Sequence, residues 1–152
     1  MKLKIYIVVS LAFLMMIGCS SSEKDTASNK TVKISDKKVS DEMNNIGIGP
    51  ISKIDLPKNI DLKLAGTGKE VYDLKCTACH KIDEKFIGPP PKGITERRSS
   101  EWIMNMILNP EEMIAKDPIA IKLLAEYNFA PMANQSLTEE EARAILEYFR
   151  TL

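Results

Sequence analysis

The sequence predicts an all-α fold for the C-terminal part of the chain, and two observations support this. Apolar residues recur there at helical spacing, and the segments that carry them begin and end with residues typical of helix termini. No run of β-branched residues long enough to build a sheet separates these segments. We therefore expect one small helical domain over residues 61–152.

The first two helices are expected on either side of a long irregular stretch. Thr67–Lys69 opens a helix that leads into Cys76. Ser99 or Ser100 can cap the second helix, because a serine hydroxyl accepts a hydrogen bond from a free N–H of the first turn. That helix should end at Asn109–Pro110, since proline cannot continue a helix that is already under way.

Shorter helices complete the domain. Asn109 can cap a third helix with Pro110 at its first position, where the fixed φ of proline suits a helix start. Asp117–Pro118 repeats this pattern and should restart the helix after a break. Thr138–Glu141 forms a capping box, and apolar residues at helical spacing follow it as far as Phe149.

Cys76-Thr77-Ala78-Cys79-His80 has the C-x-x-C-H spacing of a c-type haem attachment site. Two thiols one short turn apart can each bond one of the two vinyl groups of the haem, and the adjacent imidazole can bind the iron from one face. The sequence therefore predicts one covalent haem c, held by Cys76 and Cys79, with His80 as an axial ligand.

Two other kinds of site use similar residues. A structural zinc site needs four Cys or His ligands, whereas the chain has three cysteines, of which Cys19 has a separate role, and a single histidine. A thioredoxin-like dithiol would lie between a strand and a helix, and no strand pattern surrounds residue 76. Haem attachment is the interpretation that the motif favours.

The N-terminus has the pattern of an export signal. Residues 1–18 contain two lysines, a largely apolar run of 13 residues and a glycine, and this run is too short to span a bilayer as a finished helix. Met16–Cys19 resembles a bacterial lipobox, which implies that Cys19 becomes the lipidated mature N-terminus. The alternative is an ordinary cleaved signal with an incidental cysteine. The lipid would anchor the protein to the inner or the outer membrane on the periplasmic side.

The composition of the mature chain excludes some partners and predicts a tether. Without residues 1–18, 19 basic and 21 acidic side chains remain, so no nucleic-acid-binding patch is indicated. Residues 20–60 are rich in Ser, Lys, Asp and Asn and contain no aromatic residue. Such a segment buries little apolar surface, so we expect a flexible tether over residues 19–60. Ile46–Leu64 nevertheless contains enough Ile, Leu and Pro to lie against the domain.

The second axial ligand is open to methionine, lysine, water or nothing, because His80 is the only histidine. Met104 and Met106 fall within the second helix and Met113 within the third, where methionine is more often a packing residue. Met132 follows Pro131 in an irregular segment, and a loop can carry a thioether across the face of the haem opposite His80. Met132 is the candidate ligand, and the alternative is that it only packs.

Four features follow one another in the order found in a class I cytochrome c: the C-x-x-C-H motif, Ile87-Gly88-Pro89, Pro131-Met132 and a terminal amphipathic helix. The chain resembles that family over residues 62–152. The resemblance implies helices wrapped around one haem, with the carbonyl of Pro89 accepting the Nδ1 proton of His80 and so orienting the ring.

The resemblance has further implications for packing and for the haem propionates. Gly68 and Tyr72 of the first helix would pack against Leu146 and against Phe149 or Tyr148 of the last helix. By analogy with donors at a similar point in the family, Arg97, Arg98 and Trp102 are expected near the propionates. The alternative is a solvated pair of charges and a core tryptophan.

The predicted function is one-electron transfer through a haem with both axial positions filled. No nucleophile–base pair or phosphate-binding loop is visible in the sequence, so we do not expect an enzyme or a small-molecule substrate. The expected partners are redox proteins.

The segment Glu101–Met106, with the Asn-Pro that follows it, also resembles short lipoprotein cytochromes that accompany nitrous oxide reductases. The alternatives are a haem-based sensor or peroxidase with an open sixth site, and a structural subunit of a membrane complex.

Overall fold

The computed structural model of the protein describes residues 42–152. From residue 62 onwards its helices are α1 (Leu62–Lys75), α2 (Ser100–Leu108), α3 (Pro110–Lys116), α4 (Pro118–Glu126) and α5 (Glu139–Phe149), with a short 3-10 helix at Ile94–Glu96. Residues 42–152 contain no β-strand, so the all-α prediction is confirmed for them. The predicted signal, Cys19 and the first part of the predicted tether lie outside the described residues.

Helix α1 begins five residues before the predicted start. The side chain of Asp61 caps it by accepting hydrogen bonds from the N–H groups of Lys63 and Leu64, both at 3.0 Å. The sequence prediction relied on Thr67–Lys69 and overlooked this cap. Helix α1 therefore has 14 residues, and nearly four helical turns precede the cysteine motif.

The other helix termini lie close to the predicted ones. Ser99 caps α2, Asp117 caps α4, and the capping box of α5 is present with both of its hydrogen bonds. Asn109 occupies the N-cap position of α3, and its backbone carbonyl accepts the N–H of Met113 at 3.1 Å, but its side chain accepts no hydrogen bond from that helix. Its amide instead donates to the carbonyl of Ile48 at 3.2 Å and to Glu112 at 2.9 Å. Asn109 is therefore the N-cap residue as predicted, but without a capping hydrogen bond from its side chain.

The core is organised around the crossing of α1 and α5. A Cβ on Gly68 would collide with the backbone carbonyl of Ala144, so glycine is what allows the two helices to approach each other here. Beside this contact, Tyr72 packs against Tyr148 and Phe149, with ring centroids 5.6 and 5.7 Å apart. The expected aromatic packing is present, and the α5 atoms nearest to Gly68 belong to the backbone of Ala144 and Ile145.

Residues 45–54, which we call the strap, pack across α2 and α3. The side chain of Ile51 is buried in the core, and the carboxamide of Asn105 makes three hydrogen bonds of 2.8 to 2.9 Å with Ile46 and Ile51. The predicted boundary at residue 60 is therefore wrong, because the strap belongs to the folded domain. The isoleucines of the strap supply apolar surface, although residues 20–60 taken together are mostly polar.

A buried carboxylate fastens the start of α1 to α5. Glu147 is fully buried, and its Oε1 accepts the N–H of Asp61 at 2.8 Å and pairs with Arg150 at 2.7 Å. Its Oε2 forms an ion pair with Arg143. Burial alone would raise the pKa of Glu147, but the Asp61 N–H and the two guanidinium groups outweigh it and hold that pKa below its ordinary value.

None of the helices within the described part of the chain is both long and apolar enough to cross a membrane.

We predict that Gly68→Ala destabilises the protein, because the new Cβ meets a backbone carbonyl that no side-chain rotation can move. The expected loss in the free energy of unfolding is about 3 kcal/mol, measured by guanidinium unfolding of the haem-containing protein. The matched control is Gly66→Ala in the same helix, where a Cβ meets nothing within 4 Å. This control should stabilise α1 by up to about 1 kcal/mol. Equal effects of the two changes would contradict the proposed close approach.

Glu147→Gln should remove part of the acid sensitivity of the fold. A carboxyl whose folded pKa is lowered stabilises the protein above its unfolded pKa, near 4.5, and this stabilisation is lost as the pH falls through the folded pKa. The variant should be less stable than the parent at pH 7 by about 3 kcal/mol, because Arg143 and Arg150 lose their buried partner. Unfolding curves from pH 7 to pH 3 should show a smaller loss of stability for the variant. A parallel pH dependence of the two proteins would contradict this role of Glu147.

Candidate haem site

One largely apolar cavity lies between the C-terminal end of α1, the segment 87–98, α2, α4 and the segment 130–137. Every residue that the sequence singled out for the cofactor lines it: Cys76, Cys79, His80, Pro89, Arg97, Trp102 and Met132. Residues separated by more than 50 positions in the sequence thus surround a single space in the centre of the domain.

The cysteine motif forms a tight turn at the end of α1. The carbonyl of Cys76 accepts the N–H groups of Cys79 and His80 at 3.0 and 2.9 Å, so the chain reverses within the motif. Cys76 is half-buried and Cys79 is exposed, and neither forms a disulfide. Burial, with the neighbouring Cys79 adding to it, raises the pKa of the Cys76 thiol to about 11.

The raised pKa of Cys76 is evidence against a catalytic dithiol at this motif. A catalytic C-x-x-C dithiol needs a cysteine with a lowered pKa, because the thiolate is the nucleophile. The raised pKa of Cys76 is the opposite of this. Within residues 42–152 no group of three or more His, Cys, Asp or Glu side chains is placed to hold a metal ion.

The ring of His80 is held in one orientation. Its Nδ1 lies 2.8 Å from the carbonyl oxygen of Pro89, so Nδ1 carries the proton and Nε2 is left as the metal-binding nitrogen. A Cβ on Gly88 would collide with the imidazole, so Gly88 lets the backbone lie against the ring. The hydroxyl of Tyr72 also donates to the His80 carbonyl at 3.1 Å. The hydrogen bond that the family resemblance implied for Pro89 is present.

Met132 lies in an irregular segment on the cavity wall, half-buried against the core. Before it, Asn128 and Phe129 both have φ of +58°, a left-handed conformation that is uncommon in residues other than glycine. These two residues turn the chain between the end of α4 and the segment that carries Met132.

Of the five methionines within residues 42–152, Met106 and Met132 line the cavity, whereas Met43, Met104 and Met113 do not. Met104 is buried elsewhere in the core, and the sulfur of Met113 accepts the N–H of Ile48 at 3.0 Å. From its position within a helix, Met106 was predicted to be a packing residue. Its place on the cavity wall makes it the relevant comparison for Met132.

The predicted propionate donors have other hydrogen-bond partners. The indole N–H of Trp102 donates to Asp117 Oδ1 at 3.0 Å, so its predicted role as a propionate donor is wrong in this structure. Arg97 donates to the carbonyls of Lys92 and Pro90 at 2.9 and 3.4 Å and remains exposed at the cavity edge. Arg98 pairs with Glu42 at 2.7 Å. The sequence indicated Asp117 only as a helix cap and gave no sign of its contact with Trp102.

The residues present fit a covalent c-type haem. The cavity walls are mostly apolar, two thiols stand at one edge, and an imidazole fixed by a backbone carbonyl faces the interior with thioether side chains on other walls. This donor set is the one that c-type haem sites use. Cys76 and Cys79 would hold the ring, and His80 would bind the iron.

Comparisons with known proteins agree with this geometry. The family model described as Cytochrome c matches residues 65–152. Cytochrome c-551 of Azotobacter vinelandii is 32% identical over 90 residues, which cover 56% of this chain and 96% of that protein.

Two solved structures share the fold. A cytochrome c from Rhodothermus marinus is 45% identical, with a TM-score of 0.66, over 68% of this chain and 88% of that one. A cytochrome c domain from Pseudomonas putida is 30% identical, with a TM-score of 0.51, over 55% of this chain and 85% of that one. Together with the fixed imidazole and paired thiols of the cavity, these matches establish that the chain belongs to the cytochrome c family, as a class I c-type cytochrome that carries one covalent haem c and serves as a haem-based electron carrier.

Proposed function

We propose that this cytochrome is an exported, membrane-tethered carrier of single electrons whose haem iron is bound by His80 and Met132. The observation that carries the proposal is the position of both side chains on the walls of one apolar cavity, with His80 fixed by Pro89. When bound, the haem supplies an iron that alternates between the ferrous and ferric states. With both axial positions filled by protein side chains, no substrate would need to reach the iron.

The side chains around the site favour a rigid, dry environment. His80 is held through both its ring and its carbonyl, so the ligand moves little when the charge of the iron changes. A thioether ligand opposite histidine raises the reduction potential, as does exclusion of water by an apolar cavity. Both effects favour the reduced state and suit a carrier that passes electrons to an oxidant.

An exposed apolar patch beside the cavity supports transfer to another protein. Phe86, Ile87 and Phe129 are 45%, 47% and 72% exposed. The ammonium of Lys85 lies 4.5 Å from the ring centroid of Tyr127 and donates to the carbonyl of Glu126, which brings the two loops together. An apolar centre with cationic side chains at its rim suits brief docking of a redox partner with acidic groups around its own contact surface.

The location and the partner are proposed from the sequence. Residues 1–18 and Cys19 support export and lipid attachment on the periplasmic side. The likeness of Glu101–Met106 to lipoprotein cytochromes that accompany nitrous oxide reductases suggests such a terminal reductase as acceptor. Stopped-flow oxidation of the reduced cytochrome by a purified nitrous oxide reductase would test that choice.

Met132→Ala should abolish the weak long-wavelength absorption band of ferric haem that arises from methionine–iron bonding. The matched control is Met106→Leu, which removes the other thioether on the cavity wall while keeping a similar volume. We expect this control to retain the band. Loss of the band in Met106→Leu together with its retention in Met132→Ala would overturn the assignment of Met132. Rapid carbon monoxide binding by the unaltered ferrous protein would favour an open-site sensor instead.

Cys19→Ser should release the cytochrome from the membrane, because serine cannot accept the thioether-linked lipid. The measurement is the distribution of the haem-containing protein between soluble and membrane fractions of cells that export it. Ser20→Ala is the control, and it should leave the protein in the membrane fraction. Retention of Cys19→Ser in the membrane would contradict lipid anchoring through this cysteine.

A further inference from the structure

We propose that Asp117 sets the reduction potential of this cytochrome to a lower value than the cavity alone would give, by holding a negative charge behind the Trp102 wall of the haem cavity. Asn45 of the strap acts as a positioning residue for that carboxylate. The proposal rests on the electron-transfer role and concerns the potential at which it operates.

The carboxylate of Asp117 is buried and surrounded by hydrogen-bond donors. The residue is 2% exposed, and its Oδ1 accepts the indole N–H of Trp102 at 3.0 Å and the N–H groups of Ile119 and Ala120 at 3.0 and 2.8 Å. Its Oδ2 accepts the side-chain amide of Asn45 at 2.6 Å. All four partners are N–H donors, so both carboxylate oxygens act as hydrogen-bond acceptors here.

The negative charge of Asp117 has no cationic partner among the residues described. The ion pairs found over residues 42–152 do not include this carboxylate. The nearby guanidinium of Arg98 lies 5.5 Å from the centroid of the Trp102 ring, but its charge is matched by Glu42 at 2.7 Å. The Asp117 carboxylate therefore has no ion-pair partner within residues 42–152.

Trp102 connects this charge to the haem site. The indole ring lines the cavity, and its N–H is hydrogen-bonded to Asp117. The indole therefore lies between the carboxylate and the cavity. Trp102 is 2% exposed, so little water screens this path. A fixed negative charge stabilises ferric iron more than ferrous iron, because oxidation adds one positive charge. The expected effect is a lower reduction potential.

The strap holds Asn45 against the carboxylate. The hydroxyl of Ser99 donates to the Asn45 carbonyl at 2.6 Å and accepts the N–H of Trp102 at 3.1 Å. Gly47, with φ of +74°, carries the chain over the indole, where a Cβ would lie 3.3 Å from Trp102 Cδ1. Asn45 and Trp102 are thus fixed to each other through Ser99 as well as through Asp117.

The test is the midpoint potential of the haem-containing protein in an Asp117→Asn variant. Asparagine keeps an oxygen for the three donors to Oδ1 and removes the charge. We expect the potential to rise by at least about 30 mV, which is a threefold shift in the ferrous-to-ferric equilibrium. The control is Asp55→Asn, which removes the same charge from a side chain that is 90% exposed and should leave the potential unchanged.

The sign of the shift separates an electrostatic role from a structural one. Loosening of the cavity wall would admit water, which stabilises the ferric state and lowers the potential. A fall, or no change, in Asp117→Asn would therefore overturn the proposal. The ferric methionine–iron band, recorded on the same samples, tests the axial ligands separately from the potential.

A second variant covers the case in which Asp117→Asn does not fold. Asn45→Lys places an ammonium beside the same carboxylate at a half-buried position, and it should raise the potential by compensating the charge. Asn45→Gln is its neutral control and should cause no rise. Equal potentials for these two variants would count against the proposal even without Asp117→Asn.

Discussion

The close crossing of α1 and α5 determines where the cysteine motif and the imidazole of His80 lie. Gly68 brings the two helix backbones together, and one turn later Tyr72 packs between Tyr148 and Phe149 while its hydroxyl binds the His80 carbonyl. The same side chain therefore fills the helix interface and fixes the turn that follows α1. Because Cys76 ends this helix, a change in the crossing would move both thiols and the imidazole relative to the rest of the cavity.

The two sides of the cavity are built differently. On the histidine side, the carbonyl of Pro89, the backbone at Gly88 and the hydroxyl of Tyr72 all constrain one residue. On the methionine side, the segment 130–137 makes a hydrogen bond from Asn134 to Glu111 of α3 at 3.3 Å and local ones such as that from the Ser136 N–H to Asn134 Oδ1 at 2.8 Å. The Met132 side chain itself packs against the core. The imidazole proposed as the proximal ligand is thus positioned by directional bonds, and the Met132 side chain proposed as the distal ligand by apolar contacts.

The sequence predicted well those features that depend on neighbouring residues. The Thr138 capping box, the Asp117-Pro118 start and the C-x-x-C-H turn each lie within a few positions, so their chemistry is visible in the printed order. The partner of Trp102 could not be predicted in this way, and for the strap the sequence indicated only that its apolar residues could lie against the domain. The contact between Asn105 and Ile51 joins residues 54 positions apart, and its geometry depends on how the helices pack. Asp117 illustrates both cases, since its role as a cap was predicted and its bond to the indole was not.

The buried polar groups explain why the folded domain extends beyond the haem-binding core. Asn105 is 1% exposed, and without the strap its carboxamide would lose all three of its hydrogen bonds. An unsatisfied buried polar group costs about 1–3 kcal/mol, a large fraction of the stability of a small domain. The N–H of Asp61 likewise satisfies Glu147 from the segment just before α1. The polar side chains of α2 and α5 therefore require the strap and Asp61, which makes residues 45–61 part of the structure that surrounds the haem.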